Sequence, residues 1–139
     1  MKIEVSNGEI LDKLTIIELK LKYIDDLDKL ANIVGDHEIL KNAYEEIKAA
    51  IVKTKNYRWE KLLSLYSDLY AVNDQLWHVE DRLRKHEHEQ EFGDTFIARA
   101  RQVYTLNDER SAIKKEINIL TKSKLIEEKS YNARSDDNL

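Results

Sequence analysis

Charged and amide side chains interrupt the apolar pattern of this sequence at helical spacing. Glu80 and Arg110 lie at nearly equal distances from Gly93, on either side of it. Two antiparallel helices joined at that glycine would place the two side chains within one helical turn of each other. We therefore predict a Glu80–Arg110 pair inside a helical bundle. The full candidate polar layer or ligand site consists of Asn73, Glu80, Arg84, Asn107, Arg110 and Lys114.

Two interpretations of this layer remain open. In the first, the polar groups pair with one another and fix the register of the helices, a documented use of buried polar residues in bundles. In the second, Arg84, Arg110 and Lys114 bind a small anion or nucleotide, and Glu80 acts as an acid or base. Neither interpretation assigns a catalytic residue from the sequence.

The histidine-rich run "HEHEQE" at residues 86–91 is a weak candidate for a metal site. His86 and His88 are two residues apart, so a helix would point them to opposite sides instead of toward one ion. The acidic pair Glu9 and Asp12 resembles a magnesium-binding spacing, but it stands at a helix start, where acids favour the helix dipole. We predict no metal and no cofactor.

Composition favours long charged helices. The chain has 139 residues with Pro 0, Cys 0 and Gly 3, and 36% of its residues are charged. Such a balance is typical of an all-α protein. The formal net charge of −4 disfavours a nucleic-acid partner. The sequence has no apolar run long enough for a signal peptide or a membrane span, which predicts a cytoplasmic protein without membrane association.

Capping signals divide the chain into helices. Ser6 and Glu9 form a Ser-x-x-Glu capping box, which starts a first helix that we expect to end at Val34, before Gly35. Further helices are predicted over about 37–54, 58–91 and 95–121. These elements predict an elongated antiparallel helical bundle of three to four long helices within residues 1–122. Residues 123–139 form a polar C-terminal tail, predicted to be partly disordered.

The predicted first helix carries more apolar surface than one neighbouring helix can cover. Its second apolar stripe runs through Ile16, Tyr23, Leu27 and Leu30. Because three neighbours within one chain would leave part of this surface exposed, we predict a homodimer with this stripe at its interface.

Three segments resemble a family of small proteins known only as a domain of unknown function, found in bacteria and in marine phage-like and metagenomic sequences. They are "GEILDKLTIIELK", the stretch from "LWHVEDRLRKHEHEQEFGD" to "TFIARARQVYTLNDERSAIKKEIN", and "SKLIEEKSY". The similarity includes Trp77, Asp81, Tyr104 and Asp108, while Gln102 departs from the expected pattern. The resemblance implies no activity.

The sequence therefore predicts a non-catalytic helical bundle that acts as an interaction or accessory protein, with itself or another protein as partner. The alternative is a small-anion or nucleotide-binding bundle, and in that case an enzyme, with its site between the third and fourth helices.

Overall fold

A computed structural model describes residues 1–53 and 56–130, and of residues 56 and 57 only the backbone. The described chain forms four α-helices: α1 Asn7–Tyr23, α2 Leu27–Val52, α3 Asn56–Glu89 and α4 Asp94–Leu120. The helices alternate in direction, with α1 and α3 in the middle and α2 and α4 on their flanks. Within the described residues no Cα atom of α2 lies within 8 Å of one in α4. The all-α prediction is confirmed.

Two apolar clusters hold the helices together. The first gathers side chains from all four helices: Leu11, Ile51, Leu62, Leu65, Leu69 and Ile117. The second joins α3 to α4 alone, through Val72, Leu76, Val79 and Leu106. The second cluster contains residues of two helices instead of four because the helices differ in length. α1 ends at Tyr23, beside Trp77, whereas α3 continues to Glu89. Beyond His78, which still contacts Tyr23, the apolar packing of α3 is with α4.

The first helix ends earlier than its sequence predicts. α1 stops at Tyr23, and Asp26 caps α2 by accepting hydrogen bonds from the backbone amides of Asp28 and Lys29. α2 then passes through Gly35 without interruption, so the predicted stop at Val34 is wrong. A glycine inside a helix costs only about 1 kcal/mol, which the burial of the Ile33 side chain offsets.

The joint between α3 and α4 uses Gln90, where the sequence suggested a glycine stop. The Gln90 amide donates to the Glu87 carbonyl, and the Glu91 amide donates to the His86 carbonyl, which together form a Schellman motif. Gln90 has φ 55°, in the left-handed region. Gly93 instead occupies the N-cap of α4 and supplies no side-chain acceptor.

Gln90→Gly is expected to stabilise the protein by about 0.5–1 kcal/mol, because glycine tolerates the left-handed backbone that a side chain disfavours. Chemical denaturation would measure the change. Glu87→Gly is the matched control: it lies in the same turn with helical backbone and should destabilise. A loss of stability in both variants would contradict the role assigned to Gln90.

The segment after α4 folds back along the bundle instead of extending freely. Lys115 Nζ lies 3.0 Å from Glu128, and Lys129 Nζ lies 3.2 Å from Asp108. Charged residues on α4 therefore supply partners for this part of the tail, and its partial disorder stays a prediction. Residues 131–139 lie outside the described residues. So do residues 54 and 55, at the predicted connection between the second and third helices. Among the described helices, none combines the length and apolar character needed to cross a membrane.

Candidate functional site

A buried carboxylate forms the centre of a polar cluster between α1, α3 and α4. Asp12 lies on α1, is 0% exposed and faces Arg110 on α4. The guanidinium donates from Nε to Oδ1 at 2.8 Å and from Nη2 to Oδ2 at 2.5 Å. This two-point geometry is the strongest arrangement for an arginine and a carboxylate. The hydrogen bonds to Asp12 are the main reason that the pKa of Arg110 is raised above its usual value.

Amide and hydroxyl groups complete the surroundings of Asp12. Asn73 of α3 donates from Nδ2 to Asp12 Oδ1 at 2.9 Å and to Thr15 Oγ1 at 2.8 Å. On the other side of the arginine, Nη1 of Arg110 donates to Oδ1 of Asn107 at 3.3 Å. The cluster therefore joins α1, α3 and α4. Because its hydrogen bonds form only when the three helices are aligned at one position along their axes, the cluster fixes their register.

A second ion pair lies one turn away from the first. Lys114 Nζ donates to Glu9 Oε2 at 2.5 Å and lies 4.0 Å from Asp12 Oδ2. Burial raises the pKa of Glu9, but the hydrogen bond and charge of Lys114 outweigh it, so that the net pKa is lowered. Glu9 is therefore a stronger acid in the folded protein than in the unfolded chain. The Glu9–Lys114 pair contributes its full stability above the pKa that Glu9 has in the unfolded chain, and this stability is lost as the pH falls through the lower pKa of the folded state.

The segment after α4 adds a third carboxylate to the cluster. Ser6 Oγ donates to Glu127 Oε1 at 3.0 Å, and Glu127 lies 3.7 Å from Lys114 Nζ. The same Ser6 oxygen accepts from the Glu9 amide at 3.1 Å, which confirms its predicted capping role. A cavity of about 250 Å³ opens beside these groups, lined by Asn107, Arg110, Ser111, Lys114, Glu127, Glu128 and Lys129.

A close approach between α1 and α4 brings these charges into reach of one another. The Gly8 amide donates to Asn118 Oδ1 at 2.6 Å, and both residues are buried. A Cβ at Gly8 would overlap the Lys114 carbonyl oxygen and press on Asn118. Glycine is therefore required here by the contact between helices, since its backbone φ is not in the left-handed region.

The structure brings together four of the six residues predicted for the polar layer. Asn73, Asn107, Arg110 and Lys114 all belong to the cluster. The cluster also contains Glu9, Asp12 and Thr15, which the sequence analysis did not include. The available signal was Asp12 itself, an acid directly beside the apolar position Leu11, which the sequence analysis explained by helix capping.

Glu80 and Arg84 lie outside the cluster. Glu80 is exposed, so its predicted burial opposite Arg110 is wrong, and Asp12 takes its place as the partner. Glu80 lies two residues past His78, the last residue of α3 that contacts Tyr23 at the end of α1. Arg84 is also exposed and lies 3.7 Å from Asp81.

The four residues predicted for a dimer interface do not form a continuous stripe, because the chain turns between α1 and α2. Tyr23 packs on Trp77 and donates from its hydroxyl to Asp74 at 2.6 Å. Ile16 and Leu30 are partly buried, whereas Leu27 is 81% exposed.

As for metals, no group of three or more His, Asp or Glu side chains in residues 1–53 and 56–130 is arranged to hold an ion.

Four alternating helices around a shared apolar core, three of them also joined by a polar cluster, define an all-α helical-bundle protein. The chain belongs to the Family of unknown function (DUF6165), which it matches over residues 1–137. The resemblance to a domain of unknown function is thereby confirmed. A search of the curated proteins and a search of the solved structures each found no match.

Proposed function

We propose that this chain is a non-catalytic interaction protein of the cytoplasm that works as a homodimer, with α2 at the interface. The observation that supports the proposal is how little of α2 its own chain covers. The helix has 26 residues, of which only Ile33 and Ile51 are buried. It leaves Leu27 at 81% and Ile39 at 70% exposure, and Ile39 lies beside further apolar residues of α1 and α2.

The surface best suited to a second copy is the groove between α1 and α2. It has a volume of about 330 Å³, and its apolar lining consists of Ile16, Ile17, Ile39 and Leu40. Ile16 belongs to the interface predicted from the sequence. Leu27 is twelve residues before Ile39, which places it about 120° away around the helix. The groove and Leu27 are therefore separate surfaces.

Charge at the groove favours another copy of this chain as the occupant. Lys13 and Lys20 line it from α1, and Asp36 lines it from α2. A two-fold axis brings the same surface of two copies together in opposite orientation. It can place the lysines of each copy near Asp36 of the other while the isoleucines meet in between. Both charge and apolar area are then complementary.

The polar cluster supports a structural role better than anion binding. Arg110 is bonded to Asp12, and Lys114 is bonded to Glu9, so both cations already have carboxylate partners. An anion bound there would have to compete with a fully buried carboxylate, which would be left without its charge partner. This is why we prefer the interaction role to the small-anion or nucleotide alternative.

Ile39→Glu is expected to convert the dimer into a monomer, because it buries a charge opposite the same charge from the other copy. Light scattering during gel filtration at micromolar concentration would measure the mass. The wild type should have twice the mass of the chain, and the variant should have the mass of one chain.

Leu27→Glu is the matched control, since it adds the same charge to the same helix on a more exposed residue outside the groove. It should remain dimeric. A dimer that is broken by Leu27→Glu and not by Ile39→Glu would move the interface to the stripe predicted from the sequence. A monomeric wild type would contradict the proposed dimer on either surface.

A further inference from the structure

A second cavity lies where the end of α3 meets the start of α4, far along the chain from the Asp12 cluster. Its volume is about 270 Å³, and three cationic side chains line it: Arg82, Lys85 and Arg99. Among the described residues, no carboxylate is within salt-bridge distance of these three side chains. They differ in this respect from Arg110 and Lys114, which are both paired.

Helical spacing explains why these side chains share one cavity. Arg82, Lys85 and His86 are three and four residues apart on α3, so they lie on one face. Thr95 and Arg99 are four residues apart on α4 and face them from the other side. The Schellman turn at Gln90 brings the two faces together.

His86 supplies a buried donor that has no acceptor. The residue is 8% exposed, and its Nε2 lies 2.7 Å from Arg99 Nη1. Arginine can only donate, so Nε2 accepts and the neutral ring carries its proton on Nδ1. Nδ1 is buried without a hydrogen-bond partner. Glu91 Oε2, on the wall of the same cavity, lies 3.9 Å from Nδ1, beyond hydrogen-bond distance.

The start of α4 adds backbone donors next to this histidine. The N-cap residue is Gly93, which has no side chain to accept from the first amides of the helix. The free N–H groups and the dipole at a helix start favour a bound anion. Phe96 packs edge-on against the His86 ring at a centroid distance of 5.8 Å and holds the imidazole in place.

Two carboxylates also line the cavity, and they set a limit on its charge. Glu89 and Glu91 oppose the three cations, which leaves one net positive charge with His86 neutral. The Glu91 side chain is 64% exposed, so it can turn to solvent at little cost when another anion enters. The helix dipole adds partial positive charge at the start of α4, and Asp94 in the first turn offsets part of it.

We propose that this cavity binds a tetrahedral oxyanion of the phosphate class, either free phosphate or the phosphate group of a small monoester. Arg82, Lys85 and Arg99 hold its charge, while the Nδ1–H of His86 and the first amides of α4 donate to its oxygens. The cavity is smaller than the usual pocket for a drug-sized ligand, which restricts the organic part of the ligand to a few atoms.

The test is an NMR titration of the full chain with inorganic phosphate, with sodium chloride added to keep the ionic strength constant. The amide signals of residues 94–97 and the ring signals of His86 should shift together and saturate. A parallel titration with glycerol phosphate distinguishes the two sources: tighter binding than inorganic phosphate indicates a monoester site, and equal or weaker binding indicates a phosphate site.

Arg82→Gln and Arg99→Gln are each expected to weaken binding by about tenfold, the effect of one charge-assisted hydrogen bond. Arg84→Gln is the matched control, because it removes the same charge two residues away on a different face of α3. It should leave the affinity unchanged. His86→Phe keeps the packing on Phe96 but removes the Nδ1 donor, and it should also weaken binding.

Circular dichroism would verify that each variant is folded. Equal losses in Arg82→Gln and Arg84→Gln would overturn the site, since the effect would then be one of overall charge. A wild type whose signals at residues 94–97 do not respond to phosphate would also overturn it. Both outcomes are independent of the oligomeric state.

Discussion

Arg110→Met is expected to lower the free energy of unfolding by about 3–5 kcal/mol, because it removes the guanidinium bonded to both oxygens of the fully buried Asp12 carboxylate and leaves only Lys114, at 4.0 Å, as a cation nearby. Asn73 still donates to Asp12, but one neutral hydrogen bond cannot replace two bonds from a guanidinium. Urea denaturation followed by circular dichroism would measure the loss.

Two double variants identify the partner of Arg110. Asp12→Asn combined with Arg110→Met should recover about 2 kcal/mol of the loss, because the buried charge is removed while an acceptor for Asn73 remains. Glu80→Leu combined with Arg110→Met should recover little, since Glu80 is exposed and its charge is the weakest of those that act on Arg110. If Glu80→Leu rescues and Asp12→Asn does not, the pairing seen in the structure is contradicted.

Gly8→Ala is expected to destabilise the protein by about 3 kcal/mol, because the added methyl group forces α1 away from α4. The displacement also stretches the hydrogen bond from the Gly8 amide to Asn118, and both groups are buried. Lys114 would move with the α4 backbone, which weakens its bond to Glu9. Thermal and chemical denaturation would measure the effect.

Gly35→Ala provides the control for this variant. Gly35 lies within α2, and a Cβ there would meet nothing within 4 Å. The same substitution should therefore stabilise the protein by up to about 1 kcal/mol, through helix propensity alone. Opposite signs at the two glycines would separate the close contact at Gly8 from any general effect of alanine. A neutral Gly8→Ala would show that α1 and α4 can separate freely.

Periodicity and composition alone determined the all-α class and the presence of polar residues within the core. Asn73, Asn107, Arg110 and Lys114 were recognisable because each interrupts an apolar helical pattern. The start of α1 was predictable for a similar reason, since Ser6 and Glu9 cap it through contacts three residues apart. Such local features depend on few residues, so the sequence states them directly.

Only the tertiary structure decided which charges meet. Asp12 and Arg110 are 98 residues apart, and nothing in their spacing shows that α1 packs against both α3 and α4. The length of α1 is set by the turn at Asp26, where α2 begins and runs back along α1. In the sequence, Gly35 looked like the stronger helix stop, but α2 passes through it. Helix ends are settled by a balance of about 1 kcal/mol, and packing across the whole bundle easily changes it. A shift in where a helix ends also changes which charged side chains face each other, because an ion pair forms only where the helices bring two opposite charges together.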